Sequence, residues 1–187
     1  NYCEIVPLWC WIRDRGLFPY IELTKLMGRA RYEQFIAQHT VPLDDAKRLF
    51  EEVVQVDQEK YGYYWEPIPP IMGSQCTCYY CGCYVDMLGQ VQPCSGVTDQ
   101  GLGSVHDPGR LTFIVRDSQE FDRKVRRIAN RLNGKCSNCS LSKVPVGCYG
   151  CRAHSFWEGA DAKHPTYDYF GGDPLCWMDT DRATHLV

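Results

Sequence analysis

Nine of the chain's twelve cysteines fall between Cys76 and Cys151, and their spacing makes metal chemistry the first reading. Three pairs, Cys78/Cys81, Cys136/Cys139 and Cys148/Cys151, have two residues between their members. A tight turn at that spacing aims both sulfurs at one point, where an ion can hold two thiolates at about 2.3 Å each. One such pair is also what a redox motif looks like. Two pairs eight residues apart (Cys136-x2-Cys139-x8-Cys148-x2-Cys151), with a further pair upstream, form a stronger metal signature. A closed four-thiolate zinc site contributes folding free energy outright. A second tetrahedral site could draw on Cys148, Cys151, a histidine such as His154 or His164, and Cys176. An even cysteine count also fits six disulfide bridges of a secreted protein, and spacing leaves that framework open.

Charge is the second informative feature. The total is −3, yet nine basic side chains face three acidic ones between Arg110 and Lys143. That stretch is therefore +6 and the rest of the chain −9, so one basic face can steer a phosphate backbone although the whole molecule is acidic. Arg123, Arg126, Arg127, Arg131 and Lys135 are its candidate phosphate contacts. A solvated helix surface is the plain alternative.

These residues need elements to position them. Hydrophobic content of 44% and aromatic content of 13% support a real core, and no apolar run approaches the roughly 18 residues a membrane span requires. Residues 1–20 are aromatic and apolar, with Trp9, Trp11, Leu17 and Phe18 expected to cap a core. A helix is expected over 21–39. A clearer one follows Pro42, with Asp44 and Asp45 in the first turn and Ala46, Leu49, Phe50, Val53 and Val54 along one side. The stretch from Tyr61 to Met72 is an aromatic connector, because Pro67, Pro69 and Pro70 exclude helix. The sequence thus divides into a helical N-terminal subdomain, 1–66, and a cysteine-rich one, 67–187.

In the second part, the cysteines from Cys76 to Cys83 suit a hairpin knuckle, while Val91–Val97 and Leu111–Val115 read as strands. A helix is expected over 117–134. Asp117 and Glu120 would cap it, Phe121, Val125, Ile128, Ala129 and Leu132 form its buried stripe, and Gly134 would stop it. The fold class is α+β: an N-terminal helical pair, a small zinc-stabilised hairpin/helix module and an irregular C-terminal tail.

P-loop, G-x-G-x-x-G, H-E-x-x-H, G-x-S-x-G and zinc-deaminase signatures are all missing. Cys94 with His106 or His154 as base offers a nucleophile, although a ligand or buried thiol is the commoner role for one cysteine among twelve. In order along the chain stand Cys78-Tyr79-Tyr80-Cys81-Gly82, Ser104-Val105-His106-Asp107, and Cys136-x-x-Cys139-Ser140-x-x-Lys143. That order resembles the zinc-bearing HNH endonucleases. The resemblance implies structural zinc on Cys78, Cys81, Cys136 and Cys139, and His106 as the base that activates water. It also implies that Asp99 or Asp107 helps hold a catalytic divalent ion such as Mg²⁺.

Three function classes follow. The first is a zinc-stabilised protein acting on nucleic acid, DNA ahead of RNA, as an HNH-like metal-dependent endonuclease. The second is a non-catalytic zinc module that binds another protein. The third is a secreted, disulfide-bonded effector. No membrane partner is expected. Bound zinc would favour the nucleus or cytoplasm, and disulfides an extracellular setting.

Overall fold

The computed structural model describes residues 2–24, 30, 33–69, 71–73, 76, 82–97, 101–143, 147–158 and 168–178. The fold is α+β, with short helices and two small antiparallel sheets. It forms two compact units. The first comprises Asn1–Gln75 with Leu175–Asp179, the second Cys76–Pro174 with Thr180–Val187. The sequence suggested a division at 66/67, and in the structure Ile71 and Met72 are still core and strand of the first unit.

The first unit is built on α1 (Ile5–Arg13), β1 (Ile21–Glu22), α2 (Glu33–His39), α3 (Leu43–Val56) and β2 (Ile71–Met72). Helix α3 begins directly after Pro42, whose fixed φ suits an entry, and Asp44 and Asp45 sit in its first turn. Its buried side is the expected stripe, Ala46, Leu49, Phe50, Val53 and Val54. That stripe meets α1, and Trp9 shares one core with Leu49, Phe50, Val53 and Met72. Burying each large apolar side chain of this kind contributes about 1.5–3 kcal/mol. Trp9 is fully buried, whereas Trp11, Leu17 and Phe18 lie more than half exposed, so only one of the four expected caps reaches the core.

The helix expected over 21–39 changes. Ile21 and Glu22 are strand, paired with Met72 and Ile71, and helix in this stretch is confined to Glu33–His39 among the described residues. Pairing with the buried Ile71–Met72 strand outweighs the weak helical pattern there. Gly73 closes the strand end at φ 85°, and a Cβ on it would stand 2.7 Å from the Trp9 ring. Glycine is what lets the chain pass that close to the indole.

The second unit holds β3 (Tyr84–Val85), β4 (Gln90–Gln92) and β5 (Gly103–Ser104) as one antiparallel sheet in that order. Its helices are α4 (Arg110–Asp117), α5 (Gln119–Phe121), α6 (Gly134–Asn138) and α7 (Arg152–Glu158). The Asp86 carboxylate shapes the β3–β4 turn by accepting the amides of Leu88 at 2.8 Å and Gln90 at 2.9 Å. The strand expected over Val91–Val97 ends at Gln92, and a Cys94↔Val97 bridge then closes a tight turn.

The run Leu111–Val115 is helix α4, not a strand. Only Ile114 is fully buried, while Leu111 and Phe113 face out. The run is thus one buried stripe with an exposed side, a pattern that an apolar stretch this short cannot disclose by composition. The single helix expected over 117–134 is broken as well. Ser118, with extended backbone, caps α5 through its hydroxyl, which accepts the Phe121 amide; Asp117 does not take that role. A π turn (Asp122–Arg126) and a 3₁₀ turn (Ile128–Asn130) follow. Gly134 opens α6 instead of ending a helix. Phe121, Val125, Ile128 and Leu132 are nonetheless all buried, so the stripe survives the break. Among the described residues no helix is long and apolar enough to cross a membrane.

Candidate metal centre

All the candidate sulfur ligands but Cys176 lie in the second unit, and hydrogen bonds bring the Cys136/Cys139 and Cys148/Cys151 turns together. The Cys139 carbonyl accepts the Ser142 hydroxyl at 2.7 Å and its amide at 3.2 Å. The Cys148 amide donates to the Leu141 carbonyl at 2.7 Å, laying the Cys148–Cys151 turn against the Cys139 turn. Gly150 N–H then points at Cys148 Sγ, 3.4 Å away. Cys136 and Cys151 are buried in one core with Val97, Ile128, Leu132, Phe156 and Tyr169, and Cys94 packs on its edge. Cys76 and Cys83 pack against the neighbouring core of Val91, Leu102, Ile114, Phe121 and Val125, and Tyr149 touches both cores.

Tyr169 senses this sulfur-rich interior. Burial pushes its phenol well above the ordinary range. The thiols of Cys94, Cys76 and Cys151 push it further, against a lowering by Arg152. Its hydroxyl donates to the Lys124 carbonyl at 3.1 Å.

Helix α7 supplies two buried nitrogens that have no hydrogen-bond partner among the described residues. Arg152 is 1% exposed. One arm of its guanidinium donates to the carbonyls of Tyr169 (3.1 Å) and Gly171 (2.8 Å), the other to Cys136 Sγ (3.9 Å), and Nε has no acceptor among the described residues. His154 Nδ1 lies 3.2 Å from Asp173 Oδ1, and its buried Nε2 has no partner among the described residues. Asp173 is fully buried and its other oxygen accepts the Cys151 amide at 2.6 Å. One carboxylate therefore fixes both a cysteine's backbone and a histidine ring, the arrangement in which a carboxylate orients a metal-binding imidazole.

The donor chemistry fits a metal–thiolate group. Arg152 has no carboxylate ion-pair partner among the described residues; a buried arginine left so is costly, and a divalent ion in four thiolates would carry a net charge of about −2 that offsets it. N–H groups directed at sulfur are the usual outer shell of such sites. Among the described residues, no three Cys, His, Asp or Glu side chains converge as a ligand group, and Cys78 and Cys81 lie outside those residues. Cys136 and Cys139 carry free thiols, as do Cys3, Cys10 and Cys83.

Other expected site residues are dispersed. Cys176 belongs to the first unit, half-buried, beside a Trp177 that packs on Phe50. His106 is exposed, its ring lying over Gly89. The Asp107 carboxylate accepts the Ser104 amide at 2.8 Å and closes the turn after β5. Asp99 and His164 lie outside the described residues. Arg126, Arg127 and Arg131 are exposed, and Arg123 and Lys135 half-buried. Arg152, Tyr169 and Asp173 were not singled out by the sequence. An arginine directly after Cys151 was the one available signal for them.

Gly150 is the most sensitive backbone position here. It sits at φ 61°, and a Cβ on it would lie 2.8 Å from Asp173 Cβ and 3.1 Å from Arg152 Nη2. Gly150→Ala is expected to cost about 1–3 kcal/mol in backbone strain alone. It should also displace Asp173 from the Cys151 amide, read as faster amide exchange at Cys151 in hydrogen-exchange mass spectrometry.

No family model and no solved structure matches the chain. Curated relatives do. It is 38% identical over 94 residues to the AdoMet-dependent heme synthase of Oleidesulfovibrio alaskensis, covering 50% of this chain and 21% of that protein. It is 31% identical over 102 residues to the AdoMet-dependent heme synthase of Nitratidesulfovibrio vulgaris, covering 54% of this chain and 24% of that protein. The chain thus spans about a fifth to a quarter of the length of these relatives.

Proposed function

We propose that the second unit is a cysteine-ligated metal module, with an iron–sulfur cluster as its metal group, serving AdoMet-dependent chemistry of the kind for which the two relatives are named. One observation carries this reading: the buried Arg152 cation donates to a cysteine sulfur and makes no ion pair with a carboxylate among the described residues, in a core into which cysteines from distant parts of the sequence are drawn. Similarity to AdoMet-dependent enzymes supports iron over zinc, because AdoMet and iron–sulfur clusters are both cofactors of enzymatic radical chemistry. Cys94, Cys136, Cys139, Cys148 and Cys151 are the residues proposed to hold the group, with Cys76, Cys78 and Cys81 as further thiols. When bound, an iron–sulfur cluster stores and passes single electrons. Arg152 would offset its negative charge, Gly150 N–H and the guanidinium would keep their hydrogen bonds to the Cys148 and Cys136 sulfurs, and Val97, Ile128 and Phe156 would keep water from it. Such hydrogen bonds raise a cluster's potential.

The zinc expected from spacing would use the same thiolates, so metal analysis separates the two. Protein purified without oxygen should contain iron and acid-labile sulfide and show broad visible absorption, with Cys136→Ser and Cys151→Ser each losing most of the iron. Colourless protein with tightly held zinc would return the site to the structural role expected from spacing. Protein lacking both metals, with Cys136 and Cys151 oxidised to disulfides, would end the metal reading.

A further inference from the structure

We infer that the arginine-lined cavity beside α4 and α5 binds the phosphate group of a small molecule, at a site separate from the thiolates and independent of the metal reading. The cavity is a half-open recess of about 530 Å³, in the range of small-molecule sites and larger than a phosphate alone requires. It exists because the chain turns back at Ser118, whose extended backbone ends α4 and sets α5 against it. Arg126 fastens the fold-back by donating to the carbonyls of Val115 (2.5 Å) and Arg116 (3.4 Å).

Five arginines line the cavity, against the carboxylates of Asp117, Glu120 and Asp122, a net of +2. The two halves of this set behave differently. Arg123 forks onto Glu120 through Nε (2.9 Å) and Nη2 (2.5 Å), and Arg127 pairs with Asp122 at 2.6 Å. Those pairs fix guanidinium planes along the wall. The exposed Arg116 and Arg131 side chains make no ion pair and no hydrogen bond among the described residues. Two unpaired forks beside oriented ones match a dianion, and arginine binds phosphate through two parallel hydrogen bonds. A duplex or single strand presents a row of phosphates to an open basic surface, whereas this charge is gathered into one recess.

Titrating inorganic phosphate into the intact protein at fixed ionic strength, followed by NMR of the arginine Nε–H signals, tests the site. Saturable shifts are expected. The exposed double variant Arg116→Gln/Arg131→Gln should bind about tenfold more weakly or worse, since a hydrogen bond to a charged group contributes about that factor, while circular dichroism stays unchanged. Shifts reproduced by chloride, or unchanged affinity in the double variant, would overturn the proposal. So would a short DNA duplex that binds the same arginines, falls off steeply with salt and is not displaced by phosphate. That outcome would make this face a nucleic-acid surface.

Discussion

Replacing Asp57 with alanine is expected to remove about 3–5 kcal/mol from the first unit, the loss that follows when one partner of a buried ion pair is taken away. Asp57 is fully buried and gathers four donors. Trp9 Nε1 donates to Oδ1 at 2.7 Å and Trp65 Nε1 to Oδ2 at 2.9 Å. Arg13 forks onto the same carboxylate through Nε (3.0 Å) and Nη2 (2.7 Å). Without it the Arg13 cation, 2% exposed at its side chain, and both indole N–H groups would be left unmatched. The Arg13 guanidinium also lies 5.4 Å from the Trp9 ring centroid, 4.7 Å from Phe18 and 4.0 Å from Tyr63, so its displacement disturbs those contacts too. A loss of this size is a large share of the 5–15 kcal/mol typical of a whole domain. Urea unfolding followed by tryptophan fluorescence measures it, and a change under about 1 kcal/mol would show that the carboxylate is not the hub described.

The same carboxylate sets an acid limit. Burial alone would raise its pKa, but the hydrogen bonds from Arg13, Trp9 and Trp65 and the Arg13 charge outweigh that and hold it below the ordinary carboxylate range. A depressed folded-state pKa contributes stability above the unfolded value, near 3.9, and loses it as pH falls through the folded one. The first unit of the wild-type protein should therefore lose stability below about pH 4. The Asp57→Asn variant should lack that part of the acid dependence.

The second large effect is expected at Asp173. Asp173→Ala leaves the Cys151 amide and the His154 ring without their buried acceptor, each at about 1–3 kcal/mol. A total of about 2–6 kcal/mol is expected in the second unit. Hydrogen exchange should locate the loosening at 147–158. On the metal reading proposed above, metal content should fall in parallel, because the amide bond to Asp173 sets where Cys151 stands. If exchange at 147–158 is unchanged and the metal is retained, Asp173 does not position this turn.

Helix α3 was fully legible, because a 14-residue amphipathic stripe with proline ahead of it and acids in its first turn agrees at every level. The α+β class and the grouping of cysteines in one part of the chain were legible for similar reasons of pattern and spacing. Leu111–Val115 was misread because five apolar residues are too few to separate a period of 2 from one of 3.6. The break at Ser118 was hidden because the apolar stripe runs on through it.

What the sequence alone determined was therefore local: which residues share a helix side, where sulfur is paired, and where positive charge gathers. Tertiary structure decided the partners. Nothing in the sequence marked Asp57 as a hub, and Asp173 fell in the irregular tail. Each became a hub only when residues 44–48 and 19–22 positions away were folded against it. Sequence spacing specifies contacts within a turn or two, whereas a buried carboxylate is defined by donors that arrive from distant segments.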